Sequence, residues 1–388
     1  MIRLPKRSRV FWLGLLLIPA LVVGLFWGLA FDGEITGFFR IGAEFPKSPF
    51  LNLETARIVP GEVGHDGQQF LSIAFDPALQ HPGTLEALDS PSYRYRRILY
   101  PVLGHILALG QVPWVPYALV LINYGAIVAI VYTGSLYLQD QGRNPNAALW
   151  LLGIPSMWIT LSLGTAELLS SALLLGSLYF YHRRCYGFSA ITLGAGCLTR
   201  ETLLLVWVAL WVAAVWGRID RAGLFKLGLA GLPCLLWSFY VEQTLGSGLQ
   251  QGASNNLGLP LVGLTQKIYS FFSLTDLSVE ALYDIFSFGL ILISLGVLWL
   301  AHGLAWGQEK ALGLTSLLIG MIFVSLTLKV LGYYGDYIRT FGDIFYLLFL
   351  SLPIVRSSVP KGALVTNLLF YLALPLASVG IIFSVVVD

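Results

Sequence analysis

The sequence predicts an all-α protein embedded in a bilayer, one polytopic bundle of about eleven spanning helices. Three observations lead there. Hydrophobic residues make up 56% of the 388-residue chain and charged residues only 11%, against about 25% charged in a soluble domain. Mean hydropathy is +0.76. Apolar runs recur from end to end, each near the roughly 20 residues a spanning helix needs. No soluble core could hide this much apolar surface, so the solvent must be lipid.

The same composition excludes other classes. A formal net charge of +2, with no dense basic tract, does not suit a nucleic-acid backbone. The cysteines Cys185, Cys197 and Cys234 lie in or beside apolar segments without CxxC spacing, and read as small buried hydrophobes rather than a disulfide or zinc site. There is no GxSxG, Walker or Rossmann pattern, which argues against a nucleotide-driven pump within this chain.

The elements follow in order. Arg3, Lys6, Arg7 and Arg9 precede the apolar run Val10 to Ala30, longer than a usual signal-peptide core, which reads as an uncleaved first helix with its basic end in the cytoplasm. The polar stretch 32–97 carries turn signals at Phe45-Pro46, Ser48-Pro49, Pro60-Gly61, Asp76-Pro77 and Pro82-Gly83. It is expected outside, with Gln68 to Phe75 forming an amphipathic helix on the membrane surface. Apolar stretches then begin at Ile98, Tyr117, Ala147, Glu167, Gly187, Thr202, Leu227, Ile285, Leu312, Phe341 and Ala363. A second outer loop, 244–284, is rich in Gly, Ser, Asn and Gln; it suits a substrate lid or a plain solvated connector. No repeat of fixed period and no soluble domain interrupts residues 1–388.

If every stretch crossed, His182-Arg183-Arg184, Arg218 to Arg221 and Glu309-Lys310 would face outward, against the positive-inside bias. The segment Ile98 to Gly110, with Pro101 and His105, is the one expected to dip and return. Its about 13 residues rise only about 20 Å as a helix, short of a core of about 30 Å. The N-terminus is then inside and the C-terminus outside.

That topology gathers the unusual charges on the outer side: Asp66, Arg94, Arg96 and Arg97 in the first loop, Glu167 opening a helix, Arg200 and Glu201 at a hairpin tip, and Asp336 with Arg339 at another helix end. Ionisable groups at membrane depth are costly and default to functional candidates. A carboxylate such as Asp66 can accept the proton of an acceptor hydroxyl. Arginines can hold a phosphate through bidentate, charge-assisted hydrogen bonds. Gly67 would allow close approach of a ligand to the backbone, with His65 and Gln68 in support. Plainer roles stand beside these: Asp66 as a turn or cap residue, the first-loop arginines as headgroup contacts, Glu167 with Arg200 as a structural ion pair, and Thr199-Arg200-Glu201 as a helix cap. His65, His81 and Asp66 match no metal-ligand spacing, so no metal site is assigned and a divalent cation is left open.

The segment His65-Asp66-Gly67-Gln68-Gln69-Phe70, followed by Ile73-Ala74 and Asp76-Pro77, is similar to the aromatic-Asp-Gly-Gln/His-Phe segment of the GT-C superfamily of integral membrane glycosyltransferases. Arg94 to Pro101 resembles the arginine-rich segment that follows it in bacterial cell-surface glycopolymer members. Glu167 and Thr199-Arg200-Glu201 resemble later features of the same group, and the likeness extends in order as far as about Asp220. The resemblance implies a GT-C-type bundle in a bacterial inner membrane, acting at the extracytoplasmic face. It implies a polyprenyl-phosphate-linked sugar donor and a glycan, lipid or protein acceptor. It also implies Asp66 as the base, with Arg94, Arg96, Arg97 and Arg200 as candidates for the lipid phosphate; Arg339, beyond the stretch of likeness, joins them by its place at an outer helix end. There are two departures: His65 stands where an aromatic is usual, and the first loop has no Asp-x-Asp, so Asp32, Glu34 and Glu44 rival Asp66 as the base. A flippase for lipid-linked sugars and a non-catalytic subunit of an envelope-polymer assembly are the rival readings.

Overall fold

The computed structural model describes residues 7–246, 256–274, 278–304, 309–358 and 360–387. Arg3 and Lys6 at the expected cytoplasmic end, Gln308, and parts of the 244–284 loop lie outside the described residues.

The described chain is helical almost throughout, with one two-residue parallel ladder pairing Ile41 with Ile58 and Gly42 with Val59. The first helix, Arg9–Leu25, buries Phe11, Leu15, Pro19 and Val22 at helical spacing. Its opposite face exposes Val10, Leu13, Leu17 and Leu21. A helix apolar on both its buried and its exposed face belongs in lipid. Among the described residues, five helical stretches are long and apolar enough to cross a membrane: Arg9–Ala30, Val112–Asp140, Arg221–Leu245, Val279–Leu304 and Gly362–Val387. Leu203–Trp216 and Lys310–Val324 are shorter apolar helices. The chain is an all-α membrane protein.

Small hydroxyl residues let the interior helices approach closely, as membrane bundles require. Ser177 on Glu167–His182 and Ser189 on Tyr186–Thr199 stand 3.2 Å apart and bond each other's carbonyls. Successive helices run between two ends. One end is basic and holds the pairs Arg183–Asp140 and His182–Glu309, at 3.2 and 3.1 Å. At the other end the tips of several helices meet the first loop.

That loop is built into the bundle. The surface helix expected at Gln68 to Phe75 forms as Asp66–Phe75, but every residue from Gly67 to Phe75 is buried. Its polar side chains find protein partners: Gln68 Oε1 accepts from Gly42 N at 3.0 Å, and Gln69 Oε1 from Asp89 N at 3.1 Å. With those groups bonded inside, no polar face is left for water. The helix Leu99–Leu107 has nine residues, a length of about 14 Å, and cannot cross. It is tied to its neighbours by His105 Nδ1 on Ala74 O at 3.0 Å and by Tyr100 Oη, which donates to Leu119 O at 3.2 Å.

Candidate functional site

Asp66 opens its helix, where an acidic side chain meets the positive end of the peptide dipoles. Its place is set by the chain before it: His65 N donates to Arg40 O at 3.1 Å, and the ladder holds Gly42 against Gln68. Gly67 was expected to admit a ligand. A Cβ there would sit 2.0 Å from Leu163 O, so the close approach is between two protein backbones.

Four regions of the chain converge on Asp66. Its Oδ1 receives Arg94 at 2.8 Å, from the short helix Pro91–Tyr95, and its Oδ2 receives Arg339 at 2.9 Å, from Tyr334–Thr340. Arg94 also forks onto Asp89 at 2.7 and 2.8 Å. Arg339, its side chain 5% exposed, reaches Glu167 at 3.0 Å and Asp336 at 3.2 Å as well. His65 Nε2 lies 3.4 Å from Asp336. A flanking pair joins Arg97 to Glu201 by two bonds of 2.8 and 2.9 Å. Another joins Arg200 to Asp343 at 3.3 Å, with Ser171 donating to the same carboxylate at 2.6 Å. The structural pair expected between Glu167 and Arg200 is therefore not the one formed: each has a different partner.

Of these groups, all but His65, Ser171 and Asp343 line a cavity of about 520 Å³. Leu257, Ile322, Leu326, Val330 and Phe341 supply an apolar wall. Asn256 and Leu257 belong to the 244–284 stretch, expected as a loop but carrying the helix Val262–Phe272; antiparallel pairing of Leu257 with Leu326 holds them, and residues 247–255 and 275–277 are outside the described residues. Burial alone would raise the Asp66 carboxyl, but the Arg94 and Arg339 guanidiniums hold it well below the usual carboxylate range. Burial opposes Arg97 in the same way at Glu201, and Arg97 prevails, pulling the carboxyl down to about 2. Asp66 is thus a carboxylate facing the cavity. Two of its roughly four lone-pair sites are occupied, which leaves capacity for a hydroxyl proton.

Arg96 departs from expectation. It is buried away from the cavity, and its Nε and Nη2 have no hydrogen-bond partner among the described residues. The turn that closes Pro91–Tyr95, in which Arg97 N donates to Arg94 O at 3.1 Å, leaves Arg94 and Arg97 on the cavity and Arg96 off it. Asp32 pairs with Arg57 at 2.6 Å, 81% exposed, and neither it nor Glu34 or Glu44 lines the cavity.

The cavity also includes groups that sequence reasoning passed over. Asp89 and Tyr93 gave no signal beyond position. Lys329 did: it is a charge inside a run otherwise read as apolar, the type of residue that defaults to function; Asp343, not on the lining but paired with Arg200, is another such charge. Five carboxylates (Asp66, Asp89, Glu167, Glu201, Asp336) and five cations (Arg94, Arg97, Arg200, Lys329, Arg339) line the space. All four arginines are ion-paired. Lys329 is exposed and has no ion-pair partner among the described residues.

The donors do not fit a divalent cation. Both Asp66 oxygens already face guanidiniums, whose charge repels a metal, and no group of three His, Cys, Asp or Glu among the described residues could hold one.

No protein-family model matches the chain, and no curated protein or solved structure matches it.

Proposed function

We propose that the protein is a membrane glycosyltransferase of the GT-C kind, moving a sugar from a polyprenyl-phosphate donor to an extracytoplasmic acceptor with inversion. One observation carries this reading: an ionised carboxylate, Asp66, faces a cavity lined both by charged groups, five of them cations, and by apolar residues. Such a space suits an amphiphilic phosphate ester. The phosphate meets Lys329 first, since the arginines must exchange carboxylate partners to bind it, while the prenyl chain follows Ile322, Leu326 and Val330.

In the transfer, the acceptor hydroxyl oxygen attacks the anomeric carbon. The bond from that carbon to the phosphate oxygen breaks, and its electron pair leaves with the lipid phosphate. The hydroxyl proton passes to Asp66. A carboxylate held this acidic is a weak base, so the proton moves late, as the new bond forms. Cations around the departing phosphate stabilise the developing charge in a site of low dielectric.

The same reading has eleven passes, the N-terminus in the cytoplasm and the cavity outside, in a bacterial inner membrane. It is supported by the basic residues that gather at the end away from Asp66, among them Arg183, Arg184, Arg218 and Arg221.

The test is transfer from a panel of radiolabelled polyprenyl-phosphate sugars by the full chain in lipid, wild type beside Asp66→Asn. Transfer lost in a folded variant supports the assignment; full transfer by the variant removes Asp66 from the base role. Binding without transfer favours a transporter, and neither binding nor transfer overturns the reading.

A further inference from the structure

A second cavity, of about 330 Å³, lies at the basic end, beyond the last turn of Val115–Asp140. Its chemistry is unlike that of the first. Arg143, in the turn after that helix, and Arg356, on Leu352–Ser358, both line it, and no carboxylate does. Every arginine of the first cavity has an acidic partner; neither of these has one among the described residues. The nearest acidic residue in sequence, Asp140, is taken by Arg183 at 3.2 Å. Arg356 donates only to the Asn367 side chain, at 3.3 Å. Burial and then the charge of Arg356 depress the basicity of Arg143, as expected where two like charges converge without a counterion.

The remaining walls complete an amphiphile's outline. Asn144 uses Oδ1 to accept from Asn146 N at 3.0 Å, which leaves its amide N–H groups as donors. Trp150 and Tyr371 stack edge to face at 4.8 Å and are 42% and 46% exposed. Amphipathic rings of this kind sit at the headgroup level of a bilayer.

We propose that this cavity binds a phosphate ester, with its anionic oxygens between Arg143 and Arg356 and its apolar part against Trp150 and Tyr371. An anionic phospholipid headgroup meets both requirements, and a soluble phosphate ester meets the first. The site is independent of the transferase reading, since it shares no residue with the Asp66 cavity.

The experiment uses the full chain, delipidated in uncharged detergent, and native mass spectrometry to count bound phosphatidylglycerol. Phosphatidylcholine and inorganic phosphate are titrated in parallel. Wild type should retain one saturable phosphatidylglycerol. Arg143→Ala and Arg356→Ala should each weaken it about ten-fold, the scale of a lost charge-assisted hydrogen bond. Lysine at either position should restore part of the affinity, and Arg218→Ala, outside the cavity, should change nothing. Inorganic phosphate binding that depends on both arginines, with no lipid preference, would assign the site to a soluble ester. Equal retention by wild type and the double alanine variant, or equal binding of phosphatidylcholine, would overturn the proposal.

Discussion

Replacing Arg339 with methionine perturbs the centre of the Asp66 network. Its guanidinium faces Asp66, Glu167 and Asp336, but the cost of removing it is not shared equally. Asp66 keeps Arg94 at 2.8 Å. Asp336 is 34% exposed, so water screens it and its pair contributes little. Glu167 is 7% exposed and has no other salt bridge among the described residues. Arg339→Met therefore leaves one uncompensated buried carboxylate, a defect of about 3–5 kcal/mol. Glu167→Gln in the same chain removes that charge, so the double variant should be more stable than Arg339→Met alone. The expected coupling is about 2–3 kcal/mol. Thermal unfolding of the four proteins in one detergent reads it. At about 2–4 °C per kcal/mol, Arg339→Met should fall by about 6–20 °C and the double variant should regain roughly half. If the two single effects simply add, to within about 0.5 kcal/mol, Arg339 does not neutralise Glu167 and the network is not energetically coupled.

Other outcomes follow from the same geometry. The Asp66 carboxyl is held below its ordinary value of 3.8. A group depressed on folding adds stability that is complete above its unfolded pKa and lost as pH falls through the folded value. Acid unfolding of wild type should thus steepen below about pH 4, and Asp66→Asn should lose less stability over that range; identical acid limbs would contradict the pairing. Lys329→Gln should raise the KM for a lipid-phosphate donor several-fold while leaving the melting temperature unchanged, because Lys329 is exposed and holds no ion pair; an unchanged KM would remove it from donor binding. Gly67→Ala should destabilise by about 1–3 kcal/mol through overpacking, since the added Cβ meets Leu163 O at 2.0 Å; a melting temperature equal to wild type would show that the two backbones part at little cost.

The lipid environment and the candidate acids and bases were legible in the chain. Hydropathy at this level admits only one solvent, and a charge in so apolar a context stands out wherever it lies. Glu167, Asp336 and Arg339 were identifiable on that ground; Asp66, in the polar 32–97 stretch, stood out through its place in the first loop and the resemblance that segment carries. The separation of Arg94 and Arg97 from Arg96 was not legible, because it is made by the turn that ends the helix Pro91–Tyr95. Pairing was not legible. Asp66 and Arg339 are 273 residues apart, and no local rule states that Arg339 rather than Arg200 neutralises Glu167, or that Asp343 takes Arg200. Those choices depend on how helix ends are set against one another, which packing decides. The helix Asp66–Phe75 shows the same division. Its residues dictate a helix with two glutamines, as a surface helix would have. Only the tertiary structure supplies Gly42 N and Asp89 N as their partners, and so converts an apparent membrane-surface helix into a buried support for Asp66. The sequence alone determined which groups had to avoid lipid; the fold decided which of them met, because an ion pair is a property of distance in space and not of distance along the chain.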